Sequence, residues 1–253
     1  MILFTLAIIL SISMVRAPTT VKAQDAAKLK YGDTAQGEVS DETFEVQFKF
    51  SGKKGDLVAA QMRPIRDKDY KTVSSVVLIL DAKNKVLIDT SKIFGASGGS
   101  SLAIAELKAD GDYTIIATRY NGRSGDSSGK FNLDLMKVPA LGLGKAVTGT
   151  ATREGASHSS ALYSIVSKDD FALTFTKTDG DLNPELSVYE LQDAGELKRV
   201  GVASGSSVLA MTLAIAGGNS TYLVSIDDAD GFYADDKSTA NFKIQADKYP
   251  AAQ

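Results

Sequence analysis

The chain has one histidine, no cysteine and no tryptophan, so the chemistry open to it is narrow. Without thiols there is no thiolate nucleophile, no cysteine-held zinc and no iron–sulfur cluster. His158, in REGASHSSALY, is the one imidazole base. A Ser-His-Asp hydrolase would have to be built on it. The polar segment around it sits ahead of a strand, so His158 reads as a loop residue, and GASGGSS (95–101) reads as a flexible loop. A small secreted hydrolase using His158 stands as the alternative function. Paired carboxylates of the glycosidase kind are spaced in three dimensions and leave no trace along the chain. Small modules without tryptophan are nevertheless poor candidates for cleaving sugars.

Carboxylates supply the other chemistry. SIDDADGFYADDKS (225–238) gathers Asp227, Asp228, Asp230, Asp235 and Asp236. Calcium takes about six to eight oxygens, several from carboxylates on a pliable loop, so these five are the candidate metal ligands and calcium the candidate ion. The stretch is no EF-hand: Ile226 occupies the first liganding position and no glutamate closes the loop. A solvated acidic loop is the competing reading. Asp179 and Asp181 form a second, smaller set. For polymer binding the signal is an aromatic on a loop, and Tyr70, Tyr120, Phe232 and Tyr233 qualify. Phe232 and Tyr233, inside the acidic loop, are the candidate ligand-contact residues. Asn219-Ser220-Thr221 is a glycosylation sequon.

The elements carrying these residues are strands. TFEVQFKF places Phe44, Val46, Phe48 and Phe50 on one face. FALTFTK does the same with Phe171, Leu173 and Phe175, and KFNLDL with Phe131, Leu133 and Leu135. Period-two alternation over four to eight residues marks strands with one face on a core and one in water. Gly, Asp, Asn and Ser punctuate them. SSLAIAELKA stays ambiguous between strand and short helix.

The pattern occurs twice. LKYGDTAQGEVS (29–40) returns as LGLGKAVTGTAT (141–152), with Gly32 and Gly37 matched by Gly144 and Gly149. GDYTIIATRY returns as STYLVSIDDA, matching Tyr113 with Tyr222, and GKFNLDLMKVP as ANFKIQADKYP, matching Phe131 with Phe242. The polar run NGRSGDSSG (121–129) then falls between two recurring strands. That context suits a long hairpin loop and not a phosphate cradle, which needs a strand, a loop and a helix. The expected organisation is a signal peptide over 1–23, a β-sandwich over 28–138 and a second over 139–250.

Each unit resembles the bacterial pre-peptidase C-terminal domain, a relative of clostridial collagen-binding domains. The carrying stretches are YGDTAQGEVS, FKFSGKKGDLVAAQM, VVLILDAKNKVLI, LKADGDYTIIA and GKFNLDL. Unit two departs: Lys-Lys-Gly-Asp (53–56) is answered by Ser-Lys-Asp-Asp (167–170), and Gly-Asp-Tyr by Ser-Thr-Tyr. The resemblance implies a fold that is all-β, two tandem jelly-roll-like antiparallel sandwiches. It also implies a role beside a secreted enzyme or in binding a polymer.

Residues 2–15 are uncharged and apolar, too short for a span of about 20 residues, and VKA precedes Gln24 as a cleavage signal. An uncleaved anchor is the alternative. Losing Arg16 and Lys22 with this segment takes the formal charge from −3 to −5. That excludes binding to nucleic acid or an anionic membrane through a basic field. The expected protein is exported, to the periplasm or outside the cell, and non-catalytic. It binds an extracellular or envelope polymer, or scaffolds a secreted partner, with calcium as a candidate aid. A purely structural envelope protein is the third reading.

Overall fold

The computed structural model describes residues 26–69, 71–94, 100–154, 157–159, 161–192, 196–205, 209–229 and 237–249. The signal-peptide stretch lies outside them. Strands of the first half are β1 (Ala27–Leu29), β2 (Thr34–Val39), β3 (Glu45–Gly52), β4 (Leu57–Pro64), β5 (Ser75–Leu80), β6 (Val86–Asp89), β7 (Ser101–Glu106), β8 (Gly111–Arg119) and β9 (Gly129–Lys137). Those of the second are β10 (Lys145–Glu154), β11 (Ser157–Ser159), β12 (Ala161–Ser167), β13 (Phe171–Gly180), β14 (Pro184–Leu191), β15 (Leu197–Ser204), β16 (Ala210–Ile215), β17 (Ser220–Asp228) and β18 (Lys237–Lys248). The ambiguous SSLAIAELKA is strand β7. One helical turn, α1 (Ser91–Phe94), follows β6. Among the described residues no helix is long and apolar enough to cross a membrane.

The strands form four sheets. Sheet A runs β1-β3-β8-β5-β6 and sheet B β2-β9-β4-β7; sheet C runs β12-β17-β14-β15 and sheet D β11-β10-β18-β13-β16. All pairings of named strands are antiparallel except β1 with β3. Counted from β2, one sheet of the first half takes the first, eighth, third and sixth strands, and the other the second, seventh, fourth and fifth. Counted β10, then β12 to β18, the second half repeats this order. That interleaving is the jelly roll, two Greek keys folded face to face. Each sandwich encloses its own core: Phe48, Phe50, Ile79, Ile115, Phe131 and Leu133 in the first, Phe171, Leu173, Phe175, Val188, Val224 and Phe242 in the second.

The repeated residues have physical reasons to repeat. Gly37 lies opposite Phe131, and Gly149 opposite Phe242. Each phenylalanine ring lies across its glycine, so a Cβ at either position would collide with it. Gly32 and Gly144 turn the chain at φ 94° and 76°. Their N–H groups donate to Leu135 O (2.8 Å) and Ala246 O (2.6 Å), places that also correspond. Tyr113 Oη donates to Ala109 O at 2.7 Å and Tyr222 Oη to Ala216 O at 3.1 Å, so both tyrosines pin the turn before their strand. Even the divergent Lys-Lys-Gly-Asp and Ser-Lys-Asp-Asp turns keep one ion pair with the last strand. Lys137 reaches Asp56 at 2.6 Å and Lys248 reaches Asp169 at 2.9 Å.

One expectation fails usefully. Sheet B does not have its outer face in water. Leu57 and Ala59 of β4, Ile104 of β7 and Val138 pack with Leu162 of β12 and Leu223 of β17, flanked by Met136, Tyr189 and Leu197. The outer face of sheet B therefore lies on the outer face of sheet C, and the layers stack A, B, C, D. The linker joins this stack to both units. Val138 N–H donates to Leu57 O at 2.8 Å, Ser164 N–H to Pro139 O at 2.9 Å and Leu141 N–H to Ser164 O at 2.8 Å.

Leu223→Ala removes a buried leucine from the B–C contact and lowers stability by about 2–4 kcal/mol. Urea titration then shows the single unfolding transition separating into two as the units uncouple; one unsplit transition at the wild-type midpoint would mean the contact carries no stability. Asp56 provides a pH test. Lys137 holds its carboxyl below the ordinary range against the opposing push of burial, helped by Lys53 N–H and Tyr31 Oη. A depressed folded-state value stabilises above the unfolded value, and that gain is lost as pH falls from about 4 through the folded value. The urea-midpoint gap between wild type and Asp56→Asn is therefore widest near neutrality and closes in acid.

Candidate functional site

The connection from β8 to β9 leaves sheet A and enters sheet B. It is an arch between sheets, not the hairpin expected, because β8 and β9 do not pair. Arg119, the last residue of β8, organises it. The guanidinium is buried, and its Nε donates to Gly122 O (2.8 Å), its Nη1 to Ser127 O (3.0 Å) and Asp41 Oδ1 (2.8 Å), and its Nη2 to Arg123 O (3.4 Å). Asp41 is 85% exposed, so water screens that pair and the loop carbonyls do most of the holding. Gly125 is pressed against Tyr120 O, Ser74 N–H donates to Ser127 Oγ at 3.1 Å, and the Arg123 guanidinium lies 4.9 Å over the Phe44 ring.

Unit two uses the same two positions with the charges exchanged. Counted from the matched tyrosines, Arg119 corresponds to Asp228; counted from the matched glycines, Asp41 corresponds to Arg153. Asp228 and Arg153 form an ion pair with both side chains buried, and Arg153 Nε also donates to Ser238 Oγ at 3.2 Å. Asp228, one of the candidate calcium ligands, therefore points into the sandwich and carries a guanidinium. Asp227 accepts from Ser225 Oγ at 2.9 Å. Asp230, Phe232, Tyr233, Asp235 and Asp236 lie outside the described residues, as does Tyr70. The connection that holds them also passes from one sheet to the other, from C to D. Asp181 accepts the Thr239 N–H at 2.9 Å, which depresses its pKa, and Asp179 accepts from Gly180 N–H at 2.8 Å. Among the described residues no three His, Asp or Glu side chains are placed to hold a metal. His158 sits on β11, its backbone in register with Arg153.

The ordered arch walls a cleft of about 380 Å³ on the exposed face of sheet A. Val76, Leu78 and Thr118 form its floor, with Tyr120, Asn121 and Gly122 on one side and Asp89 and Ser91 on the other. Asn121 is held at φ 60°, so the wall has a set conformation. Asp89 Oδ1 accepts from Ser91 N–H (3.1 Å) and Ser91 Oγ (2.6 Å), and Lys92 Nζ lies 3.7 Å from its other oxygen. An apolar floor under a few convergent polar groups is the usual make-up of a ligand site. Tyr120, the one described residue among the aromatics singled out in sequence, lines this cleft. Asp89 and Ser91 gave no sequence signal, because they meet Tyr120 only through the pairing of β5 with both β6 and β8.

No protein-family model matches the chain, and no curated protein does. Solved structures do align. A protein from Eubacterium rectale shares 11% identity over 85% of this chain and 74% of its own, with a TM-score of 0.29. A tail fiber protein of an E. coli phage shares 6% over 92% of this chain and 43% of its own, at 0.31. A protein of the Sulfolobus Turreted Icosahedral Virus shares 14% over 85% and 60%, at 0.27.

Arg119→Met keeps the apolar stem and removes the guanidinium's donors to the arch. Stability falls by about 2–3 kcal/mol, the scale of charge-assisted hydrogen bonds, and trypsin cleaves after Arg123 faster. An unchanged cleavage rate would show that the carbonyls hold the loop without the guanidinium.

Proposed function

We propose that this chain is an exported, non-catalytic binding protein whose contact site is the cleft on sheet A, and that its units are relatives of the pre-peptidase C-terminal domain. One observation carries the reading: a wall fixed by Arg119 sets Tyr120 and Asn121 opposite Asp89 and Ser91 above Val76 and Leu78. Apolar carbon faces would rest on the floor and on Tyr120, while the carboxylate, hydroxyl and amide exchange hydrogen bonds with hydroxyl groups. That mixture suits a polyhydroxylated extracellular or envelope polymer. The cleft is open to the side, as a long chain requires. The matching connection of unit two contains Phe232, Tyr233, Asp230, Asp235 and Asp236 in its sequence, and calcium would act on those three carboxylates.

The test is retention of the purified protein on insoluble cellulose, chitin, peptidoglycan and collagen, each with calcium and with chelator. Tyr120→Ala weakens binding to the retaining glycan roughly tenfold, about 1.4 kcal/mol, with thermal stability unchanged. Retention on collagen alone, or binding indifferent to Tyr120, would overturn the assignment.

A further inference from the structure

The sides of a sheet end in edge strands, and edge strands offer unpaired backbone groups to any chain that comes alongside. Most edges in this molecule are guarded by charge: Lys28 on β1, Glu38 on β2, Asp89 on β6, Glu106 on β7 and Lys198 on β15. The edge of β12 is taken up by the linker, through the Ala140–Ser164 bridge, and β11 has only three residues. Strand β16 is different. It pairs with β13 on one side and with no named strand on the other, and residues 201–226 contain no Asp, Glu, Lys or Arg.

The register of β16 shows which groups are open. Lys177 N–H donates to Leu209 O at 2.7 Å, and Thr176 lies opposite Ala210. Bonded and non-bonded positions alternate in an antiparallel ladder. Leu209, Met211, Leu213 and Ile215 therefore turn their backbone groups to β13. Ala210, Thr212 and Ala214 turn theirs outward, and their side chains are exposed and small. Leu209 precedes the strand at 66% exposure. Gly201 of β15 faces Ile215 and Leu213 of β16, which sets the two edges side by side.

We propose that β16 is the seam on which a second copy of this chain docks, antiparallel about a two-fold axis through Thr212. In such a pairing each residue meets its own sequence reversed, and the residue on the axis meets itself. A charged edge would face like charge, whereas β16 sets threonine against threonine and Ala210 against Ala214, with Leu209 preceding each strand. Each of the three outward residues gives and accepts one main-chain bond, and the two D sheets join edge to edge. The seam is remote from the sheet A cleft, so a dimer displays two clefts.

The experiment is light scattering of the purified protein over a concentration series, for wild type, Thr212→Lys, Thr212→Glu and an equimolar mixture of the two variants. The side chain at 212 is exposed, so every variant folds, and its melting temperature falls only by what dimerisation adds. The wild type is dimeric, each variant alone is monomeric because like charges meet on the axis, and the mixture recovers the dimer as lysine meets glutamate. A monomeric wild type at every concentration overturns the proposal. So does a dimer that persists in either variant, or a mixture that stays monomeric.

Discussion

Sheets B and C are covered on both faces, and the rest of the molecule is arranged around that fact. A strand in such a sheet cannot alternate freely between apolar and polar. In β4 the inward Val58, Ala60 and Met62 alternate with Leu57 and Ala59, which face unit two. On this face Asp134 accepts from Thr34 Oγ1 at 2.6 Å and from Arg63. With two of the four outer faces consumed, ligands are left with sheet A, sheet D, the edges and the arches. The cleft uses the first, and the uncharged β16 edge flanks the second.

Both jelly rolls must also tie the end of their seventh strand to the strand that opens the opposite sheet. Each does so with a guanidinium and a carboxylate, yet Arg119 and Asp41 stand where Asp228 and Arg153 stand in the other unit. Exchanging the partners preserves the attraction and changes everything around it. A guanidinium at the end of β8 has donors to spare, and it gathers the carbonyls of the following arch into a firm wall. A carboxylate at the end of β17 has none to offer to carbonyls. It is satisfied by Arg153 instead.

Much of this is legible in the residues. The alternation of Phe48 with Phe50, and of Phe171, Leu173 and Phe175, marks strands whose inward faces are the observed cores. The paired glycines and aromatics mark a repeat whose glycine–phenylalanine contacts recur in both units. The arches read as hairpins because sequence order cannot tell a strand that pairs with its neighbour from one that crosses to the facing sheet. The B–C contact escapes the alternation rule, although LVAA in β4 runs apolar on both faces, a sign of a doubly covered strand. Asp228 reads as a free carboxylate because Arg153 is distant along the chain. Applying the repeat to the charged positions pairs them.

The B–C contact joins unlike surfaces: one unit offers the sheet that begins with its first jelly-roll strand, the other the sheet that begins with its second. Such head-to-tail stacking has no built-in end, and a third unit added after β18 could set its own C-type face on sheet D by the same rule. Composition works against such an addition on sheet D. The exposed face of sheet D presents Thr148, Thr150, Thr174 and Lys243 where sheet B presents Leu57, Ala59 and Ile104. In the vocabulary of repeat arrays, a polar outer face of this kind is a cap.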